Sequence, residues 1–136
     1  MKVVLDTNVI ISGLLFPGGA PDRIVRAALI RRIHHATSPD LLTELRRVFE
    51  KKFELPRKKV DELIKLVAES GELAYPTERI DVVRGDPADN RVLECAFTAG
   101  ADYIITGDER HLLTIKTWKG IRLISPADFV REIDLI

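Results

Sequence analysis

The stretch MKVVLDTNVIISGLL, residues 1–15, sets the apolar run Val3, Val4, Leu5 directly against Asp6, Thr7 and Asn8 before apolar residues resume at Val9. A short apolar run bounded by polar residues reads as a strand buried on both faces. The pattern over 9–15 reads as a short helix that stops before Pro17, Gly18 and Gly19. A strand leading into a helix is the opening of an α/β unit, and it leaves Asp6 at the tip of the first core strand.

The same alternation continues along the chain. Pro21 suits the start of a second helix with Ile24, Val25, Ala28 and Leu29 at helical spacing, and 34–37 reads as a second strand. Ser38 before Pro39 is an N-cap signal for a third helix striped by Leu41, Leu42, Leu45, Val48 and Phe49. A fourth helix is expected over 57–70, carried by Val60, Leu63, Ile64 and Val67 and ended by Gly71. Weak strand signals follow at 73–75 and 80–83. DPADN, residues 86–90, starts a fifth helix with Val92, Leu93, Ala96 and Phe97 inward and Gly100 at its end. Residues 103–105 and 121–124 read as strands, and Ser125 with Pro126 caps a last helix through Phe129, Val130 and Ile133. Strands alternating with helices predict one α/β domain over 1–136, a three-layer α/β/α sandwich around a mostly parallel sheet.

Composition narrows the function class. Lys plus Arg and Asp plus Glu balance at 21 each, so no global field marks a polyanionic partner, although a local patch can. Cys95 is the single cysteine, which excludes a disulfide within the chain and fits a reducing compartment. No apolar run approaches the roughly 20 residues of a membrane span, and no leader pattern opens the chain, so a cytoplasmic protein without membrane contact is expected.

In an open parallel sheet, ligands gather outside the carboxyl ends of the strands. Asp6 follows the first strand there, and Asp108 follows the YIIT strand with Gly107 between. Glu44 lies three residues after Leu41 and four before Val48, so its carboxylate shares the side of the apolar stripe, where a charge needs a cation, hydrogen bonds or a raised pKa. Asp86 reads as the N-cap of the fifth helix, leaving Asp89 at about its third position, where both a capping and a ligand role are open. Each acid alone has an ordinary reading as a turn, cap or rim residue. Glu94, grouped with Asn90, Arg91 and Thr98, reads as solvated. Four carboxylates converging on one edge repel one another unless protonated or neutralised by a cation. Hard oxygen ligands favour magnesium or manganese over zinc. His34 and His35, adjacent on a strand, point to opposite faces, and His111 reads as a loop residue rather than a ligand.

Four segments, VVLDTNVIISGLL with PGG after it, SPDLLTEL, DPADNRVLECA and GADYIITGDERHLL, together resemble the PIN domain ribonucleases, and within them the toxin components of toxin-antitoxin pairs. The resemblance implies that Asp6, Glu44, Asp89 and Asp108 occupy the family's acidic positions and that Asn8 and Thr106 match its supporting polar positions. It also implies metal-dependent cleavage of single-stranded RNA with Mg²⁺ or Mn²⁺, a homodimer, and an antitoxin protein as partner. On that expectation Asp6, Asp89 and Asp108 hold the metal. Glu44 orients or deprotonates the attacking water, or helps hold a second ion about 4 Å away, and Asn8 positions Asp6 or a water.

Arg46, Arg47, Lys51, Lys52, Arg57, Lys58 and Lys59 form a basic cluster that reads either as an RNA track or as a solvated helix face. Two rivals stand beside the nuclease. A phosphatase of the haloacid dehalogenase type would use Asp6 in a D-x-D motif, but Asn8 stands where its second acid is needed. A PIN-like scaffold would bind RNA or protein without cutting.

Overall fold

The computed structural model describes residues 1–83 and 86–133. β1 (Lys2–Leu5) carries Val3, Val4 and Leu5 into the core, all buried. It pairs in parallel with β2 (His34–Thr37) on one side and β4 (Tyr103–Ile105) on the other. β3 (Glu72–Leu73) extends the sheet beyond β2 in parallel, and β6 (Ile121–Ile124) does so beyond β4. β5 (Thr117–Trp118) closes that edge antiparallel to β6, giving the order β3-β2-β1-β4-β6-β5.

Because successive strand residues face opposite sides, the apolar runs feed two cores. Val3, Leu5 and Ile105 point into one, with α1 (Thr7–Leu15), α2 (Ala20–Leu29), α4 (Arg57–Ser70) and α7 (Pro126–Glu132). Val4 and Ile104 point into the other, with α5 (Pro87–Ala99) and α6 (Leu112–Ile115). α3 (Pro39–Lys51) serves both, placing Leu45 and Phe49 in the first core and Leu41 in the second. The expected three-layer α/β/α architecture is therefore the one adopted. Among the described residues, no helix is long and apolar enough to cross a membrane.

Local chemistry accounts for the element ends. Ser38 Oγ accepts the Leu41 N–H at the start of α3, and Ser125 Oγ accepts the Asp128 N–H at the start of α7. Gly100 ends α5 at φ +67°, the left-handed conformation that favours glycine. Gly71 acts differently from the expected cap: its backbone is extended, and a Cβ there would sit 2.5 Å from the His35 carbonyl oxygen. It is required by the close approach of β3 to β2.

Four sequence expectations change. Residues 80–83 form no strand. The N–H groups of Val82 and Val83 are instead taken by Asn90 Oδ1, at 3.0 and 2.8 Å, and that of Ile80 by Glu94 at 2.7 Å. For the same reason Glu94 is not solvated but only 1% exposed, held by Arg91 at 2.7 Å and Arg79 at 3.4 Å. An irregular segment crossing a helix must find partners for its backbone groups, and the polar face of α5 supplies them. Phe97 faces outward, 53% exposed, against Trp118 at 6.1 Å between ring centroids. The third strand is confined to Glu72–Leu73, and α6 and β5 were not expected.

Candidate metal centre

β1 is central, and the chain leaves it for β2 on one side and reaches β4 on the other, so a crevice opens where the connections diverge. Asp6 sits at that point. Its N–H donates to the Ile105 carbonyl at 3.0 Å, and its own carbonyl accepts the Val9 and Ile10 N–H groups that begin α1. The backbone thus fixes where the carboxylate points. Thr106, fully buried at the end of β4, donates from Oγ1 to Asp6 Oδ2 at 2.7 Å and accepts the Asp108 N–H at 3.1 Å. One hydroxyl therefore ties two of the four expected acids together. Asn8, expected to position Asp6 or a water, is the second residue of α1 and stands exposed on the crevice wall, while the hydrogen bond to the Asp6 carboxylate comes from Thr106.

Asp108 folds the following loop around itself. Its Oδ1 accepts the Arg110 and His111 N–H groups at 3.1 and 3.2 Å. Burial acts to raise its carboxyl, but a hydrogen bond shared with Asp89 and then the loop N–H groups outweigh it and hold the carboxyl below the usual range. Asp89 stands in the first turn of α5, buried, with Oδ2 lacking a hydrogen-bond partner among the described residues. Burial first, then the shared hydrogen bond and charge of Asp108, push its pKa up to about 8. Asp6 is also raised, by burial above all, and further by the charges of Asp108 and Asp86, while the Thr106 bond pulls it down. A raised Asp6 and Asp89 beside a lowered Asp108 are the pattern of acids packed together away from water.

Asp86 occupies the N-cap position of α5, as expected, but its side chain makes no cap hydrogen bond. One ligand atom each from Asp86, Asp89, Asp108 and His111 lies within 4.8 Å of the others. His111, expected to be a bystander, brings Nδ1 to 3.4 Å from Asp108 Oδ2 and 3.7 Å from Asp89 Oδ2. The spacing does carry a signal for this: His111 is three residues from Asp108, within reach across one turn. Glu44 reaches the same crevice from α3, partly buried, and is gripped by Arg47 through Nη2 to Oε1 at 2.7 Å and Nε to Oε2 at 3.1 Å. Asp6, Glu44, Asp89 and Asp108 all line this one cavity of about 580 Å³, together with Asn8, Arg47, Asp86, Arg110 and His111.

The donor set fits a divalent cation: carboxylate oxygens predominate, Asp89 Oδ2 is buried without a partner among the described residues, and burial followed by the neighbouring acids raises Asp6 and Asp89. The basic cluster divides. Arg46 is paired with Glu50 and Asp61 and Arg47 with Glu44, whereas Lys51, Lys52, Arg57, Lys58 and Lys59 are exposed.

Comparison with known proteins agrees with this architecture. An uncharacterized protein of Methanocaldococcus jannaschii is 28% identical over 146 residues, spanning 98% of this chain and 92% of its own length. Among solved structures, a chain in the crystal structure of VapBC2 from Rickettsia felis bound to a DNA fragment from their promoter has the same fold. The TM-score is 0.60 over 92% of this chain and 98% of that one, at 13% identity. The family model of the PIN domain matches residues 2–110, from β1 through the turn that carries Asp108. That span takes in Asp6, Glu44, Asp89 and Asp108, and the chain belongs to the PIN domain family.

Proposed function

We propose that this protein is a Mg²⁺- or Mn²⁺-dependent endoribonuclease that hydrolyses phosphodiester bonds of single-stranded RNA, acting in the cytoplasm as a homodimer and as the toxin of a toxin-antitoxin pair. The observation that carries the reading is the convergence of Asp6, Asp89 and Asp108 with Glu44 on one cavity where Asp89 Oδ2 is buried without a partner among the described residues. Membership in the PIN domain family supports the nuclease assignment. The antitoxin partner is supported by the likeness of fold to a VapBC2 chain, and the dimer by exposed Phe16, Ile30 and Leu66 on the α1, α2 and α4 side.

Asp89 and Asp108 would hold the cation from the group they form with Asp86 and His111, and Asp6, which is not part of that group but lines the same cavity, would complete the site. When bound, such a cation neutralises charge developing on the phosphoryl group and makes water a better nucleophile. The chain's own residues do the rest. Thr106 fixes the Asp6 carboxylate and the Asp108 backbone with one hydroxyl, so the two acids keep their relative position. Glu44 accepts the proton of the attacking water. Arg47 occupies one lone pair on each of its oxygens, fixes how the carboxylate is turned and leaves the second lone pair of each for a water. Arg47 and Arg110 offer positive charge to the phosphodiester at the rim. Lys51, Lys52, Arg57, Lys58 and Lys59 supply a track for flanking phosphates.

The test is incubation with labelled single-stranded RNA, with and without Mn²⁺ or Mg²⁺, beside Asp6→Asn and Asp89→Asn. Cleavage should fall by about a hundredfold or more in each variant. Cleavage that survives both substitutions, or survives excess EDTA, overturns the mechanism; RNA binding without cleavage under either metal favours a scaffold. Replacing Lys51 and Lys52 together should lower the slope of log affinity against log salt by about 1.4 if both contact phosphates.

A further inference from the structure

We propose that His111 is a ligand of the cation site, its Nδ1 adding a nitrogen to the carboxylate oxygens of Asp86, Asp89 and Asp108, and that this nitrogen makes the site select Mn²⁺ over Mg²⁺. The inference rests on the cation-dependent reading above and deepens it by assigning the metal.

Three observations support it. The first is the grouping itself: the His111 nitrogen and an oxygen from each of Asp86, Asp89 and Asp108 lie within 4.8 Å of one another. The His111 Nδ1 separations of 3.4 and 3.7 Å are wider than a charged hydrogen bond, which runs at roughly 2.7–2.9 Å. They fall within the span of groups sharing one ion, because ligands about 2.2 Å from a common centre lie roughly 3 Å apart when adjacent and 4.4 Å apart when opposite. The second is Asp89 Oδ2, buried and without a hydrogen-bond partner among the described residues, on a residue only 7% exposed. Were the imidazole there to pair with Asp89, that oxygen would be the natural acceptor, yet it stands 3.7 Å away. The third is rigidity. The His111 N–H is tied to Asp108 Oδ1 and its carbonyl accepts the Thr114 N–H, so the backbone that carries the ring is held beside the acids. Asp86, at the N-cap position, spends its carboxylate on no cap bond and belongs to the same cluster.

The selectivity follows from ligand chemistry. Mg²⁺ is a hard ion that favours oxygen and an octahedral water-rich shell. Mn²⁺ accepts the same carboxylates and also an imidazole nitrogen, so a mixed site gains for manganese what it does not gain for magnesium.

The experiment uses the intact protein stripped of metal, titrated with Mn²⁺ followed by electron paramagnetic resonance, alone and in competition with Mg²⁺. Pulsed spectra report nitrogen coupling to the bound ion directly. Wild type should bind Mn²⁺ about tenfold or more tightly than Mg²⁺ and show nitrogen coupling. His111→Ala and His111→Gln should both lose the coupling and most of the preference, with Mg²⁺ affinity changed by less than about threefold. The glutamine variant guards against misfolding, since it keeps a long polar side chain at an exposed position. Bound Mn²⁺ without nitrogen coupling in wild type, or a preference unchanged in both variants, overturns the assignment of His111 while leaving the cation-dependent reading in place. Wild type that binds neither cation overturns both.

Discussion

Cation binding should expel a proton from the Asp89–Asp108 pair, and the amount follows from the structure. Burial and the adjacent Asp108 raise Asp89 to about 8, whereas Asp108 is held ionised by its bonds to the loop N–H groups. The pair therefore carries one proton near neutrality, and the cation replaces it. At pH 7.5 a group with that pKa is protonated in about three-quarters of molecules, so binding should release about 0.75 proton; at pH 9 the figure falls to about 0.1. Calorimetric titration in buffers of different ionisation enthalpy reads the number as the slope of observed against buffer enthalpy. Asp89→Asn should remove this component and weaken binding. A slope that is near zero at pH 7.5 while the cation binds, or one that Asp89→Asn leaves unchanged, refutes the reasoning.

Two further outcomes concern stability. His35 is buried, with Nε2 donating to Ser70 Oγ at 2.8 Å because the Ser70 hydroxyl itself donates to Val67, and Nδ1 has no partner. Burial, then the neighbouring His34, lowers its pKa to about 4. The unfolded chain takes up this proton near pH 6.5 and the folded chain does not, so the contribution is full above about 6.5 and is lost as pH falls toward 4. Between pH 7.5 and pH 4 the loss is about 3 kcal/mol, read by urea unfolding as the difference from His35→Gln, whose acid limb should be shallower by that amount. Equal acid limbs in the two proteins would remove His35 as the cause. Glu94→Ala strips partners from Arg91, Arg79 and the Ile80 N–H, and should cost about 3–5 kcal/mol in the same assay, with Glu94→Gln milder. A loss under about 1 kcal/mol for the alanine variant would mean that α5 does not hold the 80–83 segment.

Much of the frame was legible because its signals are local. Val3 to Leu5, the Ser38-Pro39 cap and the stripe from Val60 to Val67 each announce an element through neighbours a few residues away, and the elements formed there. The acids at the carboxyl edge were legible for a related reason: Asp6 and Asp108 end strands, and parallel strands end on one side. The misreadings share a cause as well. Glu94 and Asn90 looked solvated because the segment that covers them, Ile80 to Val83, carries a weak strand signal and no sign of where it crosses. Phe97 looked buried by periodicity, but the cover of α5 comes from one irregular segment and one strand edge and stops short of it.

By itself, the sequence determined the α/β alternation, the central strand and the four carboxylates brought to its edge, since periodicity and capping act over a few residues. Tertiary structure decided how those carboxylates are employed. Only the meeting of β1 and β4 lets the Thr106 hydroxyl join Asp6 to Asp108. Only the return of the chain after Asp108 sets His111 against Asp89, and only the seat of α3 sets Glu44 with Arg47 on the crevice wall. Burial, which raises Asp89 and Asp6 and leaves one oxygen without a partner, is a property of everything packed around a residue. No run of neighbours along the chain contains it.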